Sequence, residues 1–96
     1  MKPSEALAKH RDTIRRIVLE SGMTNPRLFG SALHGDDAEG SDLDILVDPA
    51  PRTDLFEFAG LQMELESMIG IKVDLLTPNA LPFKFRAKVL SEAQPI

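Results

Sequence analysis

Asp42 and Asp44 stand two residues apart in a segment that alternates in polarity, Ser41-Asp42-Leu43-Asp44-Ile45-Leu46-Val47-Asp48. On a strand, both carboxylates leave the same face, about 6–7 Å apart along the backbone. Like charges held that close repel, so the arrangement disfavours folding until a cation joins it. Magnesium takes oxygen ligands and is bound through one or two carboxylates plus substrate phosphates. The pair therefore suits a magnesium–triphosphate platform. Taken alone, it more often marks a solvated strand face.

Two further features bear on that choice. Asp74 is the single acid in the otherwise apolar Val73-Asp74-Leu75-Leu76. An edge position in solvent accounts for such an acid. A place level with Asp42 and Asp44 on a neighbouring strand would instead complete a two-metal site, which clamps the attacking and leaving oxygens of an in-line displacement. Gly30-Ser31 follows the apolar Leu28-Phe29. Glycine lets backbone approach a ligand closely, and the amides and hydroxyl that follow can donate to phosphate oxygens. An isolated Gly-Ser pair reads better as a plain turn, and no G-x-x-x-x-G-K-[ST] phosphate loop is present.

These residues need elements to hold them. Ser4 is placed to cap a first helix running to about Ser21, with Leu7, His10, Ile14, Ile17 and Val18 at helical spacing. Gly22 is its expected C-cap. Arg27-Leu28-Phe29 reads as a short strand, followed by a single helical turn at Ser31 and a polar loop from His34 to Gly40. The strand from Ser41 to Asp48 points Leu43, Ile45 and Val47 one way and the acids and Leu46 the other. Thr53 is expected to cap a second long helix striped by Leu55, Phe58, Leu61, Leu65 and Met68, with Gly70 at its end. Ile71 to Thr77 forms the next strand, and Pro82 opens a last helix to about Ala93. The order α-β-β-α-β-α predicts a small α/β fold: a mixed sheet of about three strands, helices on one face, and the other face open at the carboxylates.

A chain of 96 residues fits one domain spanning residues 1–96. Hydrophobic residues make up 43% and charged residues 27%, an ordinary globular profile. Without cysteine, disulfides and thiolate metal sites are excluded. The charged N-terminus holds no signal-peptide core, and no apolar run approaches a membrane span of about 18 residues. A cytoplasmic location is expected. A net charge of −4 argues against an extended nucleic-acid surface. Lys84, Arg86 and Lys88 interleave with Phe83, Phe85 and Val89 in the last helix. That pattern reads first as an amphipathic helix packing its apolar residues, and second as a basic patch for ATP, RNA or a partner. Asp36, Asp37 and Glu39 read as a solvated loop. His10 reads as a packed or boundary residue, Met63 as surface and Met68 as core.

Phe29-Gly30-Ser31, then Asp42-Leu43-Asp44-Ile45-Leu46-Val47, then Val73-Asp74-Leu75-Leu76, with a closing Val89-Leu90-Ser91-Glu92-Ala93, resembles the DNA polymerase beta-like nucleotidyltransferase superfamily. The nearest resemblance is to the minimal nucleotidyltransferases, the MNT-domain antitoxins paired with HEPN-domain toxins. The resemblance implies that Gly30 and Ser31 grip the β- and γ-phosphates of ATP and that Asp42 and Asp44 bind the nucleotide-bound Mg²⁺. Asp74 would help hold a second Mg²⁺ that activates the incoming hydroxyl. The implied activity is protein adenylylation that neutralises a HEPN-type partner in a hetero-oligomer. Two other functions stay open: a non-catalytic antitoxin that acts by binding, and a small-molecule nucleotidyltransferase whose acceptor chain is separate. The sequence departs from the family at His34, where G-S-x-A-R-G carries arginine. An arginine neutralises phosphate permanently, whereas a histidine is only partly charged at neutral pH. Lowered triphosphate affinity and a loop histidine facing water are both consistent with that change.

Overall fold

The computed structural model describes all 96 residues. Helix α1 (Pro3–Glu20) leads into strand β1 (Thr24–Phe29), the one-turn helix α2 (Ser31–His34) and strand β2 (Leu43–Asp48). Helix α3 (Leu55–Ile69), strand β3 (Val73–Leu76), a 3-10 turn (Pro78–Ala80), helix α4 (Phe83–Glu92) and the two-residue strand β4 (Gln94–Pro95) complete the chain. The sheet order is β3-β2-β1-β4. β2 pairs antiparallel with β1 and parallel with β3, and β4 lies antiparallel on the far side of β1. A parallel neighbour needs a crossover, and α3 supplies it. The α/β expectation is met with a fourth strand, β4, too short for periodicity to reveal.

The core occupies one sheet face. Leu43, Ile45 and Val47 of β2, Val73 and Leu75 of β3 and Leu28 of β1 pack against Leu7, Ile14, Ile17 and Val18 of α1 and Leu61, Leu65 and Ile69 of α3. The opposite face is not wholly open. Leu46 is fully buried there, outside the main cluster, and β2 is in contact with the 3-10 turn. The end of the sheet that carries Asp44 and Asp74 stays accessible, Asp74 being exposed and Asp44 half-buried.

Several local expectations are corrected. Ser4 does not cap α1: Lys2 is the N-cap, and the Ser4 amide donates to Asp37 Oδ2 at 2.8 Å. The 34–40 loop is therefore tied to the helix start, where an acid is favoured by the helix dipole. That amide also holds the Asp37 carboxyl below its usual range. Ser21, not Gly22, is the C-cap, with Gly22 just beyond it at φ +90°. Asp54 rather than Thr53 caps α3, accepting from the Glu57 amide at 2.8 Å. The long helix buries Leu61 and Leu65 of its predicted stripe but not its ends: Leu55 is 85% exposed and Met68 48%, while Ile69 is buried. Met68 is thus a partly exposed residue, and Met63 is on the surface as expected. His10 sits at the boundary, at a kink with φ −118° and ψ 16°.

Candidate active site

β2 starts at Leu43, so Asp42 lies one residue ahead of the strand while Asp44 lies within it. β3 runs parallel beside β2, and its register sets Asp74 directly opposite Asp44. β1 delivers the phosphate-turn candidate to the same place, since Phe29 is the ladder partner of Asp44 and Gly30 follows it. Gly30, Ser31, Asp44 and Asp74 therefore meet at one end of the sheet, with Asp42 beside them.

Gly30 has φ +77° and ψ −151°, a region essentially closed to residues with a side chain. A Cβ there would overlap the Asp44 carboxylate and fall 2.8 Å from its Cγ. Asp44 is thus packed onto the turn, and only glycine admits it. The carboxyl of Asp44 is pushed up to about 6. Partial burial is the largest cause; the neighbouring Asp74 carboxylate is next, and Asp42 adds to it. The Ser31 backbone amide pulls in the opposite direction.

No lysine, arginine or histidine pairs with Asp42, Asp44 or Asp74, since the ion pairs of the chain lie elsewhere. Asp48, on the same strand face, is treated differently: Arg27 donates to it at 3.2 Å and Asn25 at 3.1 Å. The three unpaired acids supply hard oxygen donors whose repulsion a divalent cation would relieve, which fits magnesium. They do not converge into a cage able to hold a metal by themselves. Magnesium does not need one, because it usually keeps water and substrate phosphates as further ligands.

The structure refines one side-chain expectation near the site and corrects another. His34 is half exposed, and its Nε2 lies 3.1 Å from Glu92 Oε2. The sequence carried Glu92 in its closing motif but offered no signal for this partnership. Helix α4 does not pack its apolar residues: it has no buried residue, and Phe83 is 87% exposed. Arg86 turns back to the carbonyls of Asn79 and Leu81 at 3.1 and 3.0 Å. A cleft of about 710 Å³, bordered by Pro49, Leu55, Phe56 and Leu76, lies toward the opposite strand ends and excludes all three acids.

Comparison with known proteins adds four findings. The family profile described as polymerase beta, nucleotidyltransferase matches residues 24–96. The protein adenylyltransferase MntA of Thermococcus cleftensis is 34% identical, with 90% of this chain and 84% of that protein covered. Among solved structures, a candidate minimal nucleotidyltransferase superposes with a TM-score of 0.85 at 33% identity, over 97% of this chain and 95% of that one. An MNT antitoxin in complex with a tri-AMPylated HEPN toxin of Shewanella oneidensis shares the fold, with a TM-score of 0.69, 20% identity, and 92% and 69% of the two chains covered. No helix is long and apolar enough to cross a membrane.

Proposed function

The chain belongs to the polymerase beta nucleotidyltransferase family, and on that footing we propose that it transfers AMP from ATP to a hydroxyl of a HEPN-type toxin, as its antitoxin. The observation that carries the reading is the meeting of Asp44 with both Asp74 and Gly30. Acids and phosphate turn share one location, as transfer from a triphosphate requires. Protein adenylylation as the particular activity is supported by the relative of that name, and the HEPN partner by the AMPylated complex of the same fold.

Each residue then has a task. The Ser31 amide and hydroxyl, with the Gly30 backbone, hold the β- and γ-phosphates. Asp42 and Asp44 hold the nucleotide-bound Mg²⁺, and Asp74 faces Asp44 to help hold the second. When bound, the two ions neutralise the triphosphate and activate the acceptor hydroxyl. The acceptor oxygen forms its bond to the α-phosphorus as the bond to the pyrophosphate oxygen breaks. What the chain contributes is placement and preorganised charge. Residues 1–96 act as one domain in the cytoplasm, and the toxin brings the acceptor.

Co-expression with the toxin tests this reading. The wild-type chain should restore growth, and the double variant Asp42→Asn with Asp44→Asn should not. Full rescue by the double variant would mean that neutralisation is by binding.

A further inference from the structure

The phosphate turn is entered directly from β1, and α2 is a single turn whose Ala32 and Leu33 are partly buried against the core. Beyond it the Ser4 amide holds Asp37. The last residue of α2 has one side-chain contact with another element, His34 Nε2 to Glu92 Oε2 at 3.1 Å. Glu92 is itself well anchored. It closes α4, whose C-cap amide at Ala93 donates to the Val89 carbonyl at 2.9 Å. β4 follows at once and pairs with Arg27 and Leu28 of β1, and the Ile96 amide donates to the Pro26 carbonyl at 3.0 Å. The same strand therefore leads into the turn and supports the acid that reaches back to its far end.

From this closed loop of contacts we infer that Glu92 is a positioning residue for the phosphate turn, acting through His34. The role rests on the proposed function of Gly30 and Ser31 as the triphosphate cradle. Glu92 touches no reacting atom. It holds the last residue of α2, so that the Ser31 amide and hydroxyl keep their aim when a highly charged ligand arrives. His34 and Glu92 have side chains 50% and 37% exposed, and exposed pairs contribute little to global stability. The pair can therefore be removed without unfolding the chain, and its effect falls on the turn.

The test measures Kd for Mg²⁺ with AMP-PNP by calorimetry, together with the melting temperature of each ligand-free variant. Glu92→Ala and His34→Ala should each raise Kd by about threefold to tenfold, the size of coupling between contacting side chains. The double variant should be no weaker than either single one, and the melting temperatures should stay within about 3 °C of wild type. His34→Arg, which keeps a hydrogen-bond donor opposite Glu92, should bind at least as well as wild type. In transfer assays, KM for ATP should rise by the same factor with kcat unchanged. Unmoved Kd values would overturn the inference while leaving the site reading intact. Tighter binding in Glu92→Ala would overturn it too, by showing that Glu92 keeps His34 off the phosphates. If the wild-type chain does not bind the nucleotide, the site reading itself fails, and this role with it.

Discussion

Replacing Asp44 by asparagine should make the ligand-free protein more stable. The reason lies in the rise of the Asp44 carboxyl from 3.8 to about 6. Such a rise corresponds to about 3 kcal/mol of unfavourable interaction in the charged form. The site is partly open to water, and screening reduces the figure to about 1–2 kcal/mol. Folding raises this pKa, so the native state keeps a proton that the unfolded chain, near 3.9, has already released. The destabilisation is absent below about pH 4, grows as pH climbs toward 6, and is complete above about 7. The substituted asparagine keeps an acceptor for the Ser31 amide and carries no charge. The assay is thermal or urea unfolding of both proteins at pH 4 and pH 7.5, without metal. At pH 7.5 the Asp44→Asn variant should melt higher, by about 4–8 °C for each kcal/mol recovered. At pH 4 the difference should shrink toward zero. With Mg²⁺ and ATP the order should reverse, because only the wild type gains a ligand that binds the native state. Equal or lower stability of the variant at pH 7.5 would refute the electrostatic account of the acid cluster.

Gly30→Ala should cost more than about 2 kcal/mol in urea unfolding, because it combines a disallowed backbone conformation with overlap on Asp44. Ser31→Ala should weaken ATP binding by about 1–3 kcal/mol in calorimetry, since one hydroxyl donor is lost and the amides remain. Asp54→Ala removes the α3 cap and should lower stability by about 1 kcal/mol with nucleotide affinity unchanged, measured by urea unfolding and calorimetry.

Most of the candidate site was legible in the sequence because its residues lie where local patterns are strong. Alternation in 41–48 marked the strand face of Asp44, and the glycine–serine pair marked the turn. What spacing could not show was adjacency. The parallel register that sets Asp74 against Asp44 depends on the α3 crossover, a tertiary feature. The packing of Asp44 onto Gly30 likewise joins β2 to the turn that follows β1. His34 was read against phosphate or water, because its partner Glu92 lies far along the chain. Helix faces were read less well. In α3 the expected Leu61 and Leu65 are buried, yet tertiary packing leaves Leu55 and Met68 exposed and takes Ile69 in place of Met68. In α4 the apolar residues were assigned to a core that never reaches them.

The most direct test of the central claim is the intact mass of a HEPN-type partner after incubation with this protein, ATP and Mg²⁺. The account predicts an increase of about 329 Da for each AMP transferred, and no increase with the Asp42→Asn, Asp44→Asn double variant. A partner that keeps its original mass with the wild-type protein, yet is still neutralised, would contradict it.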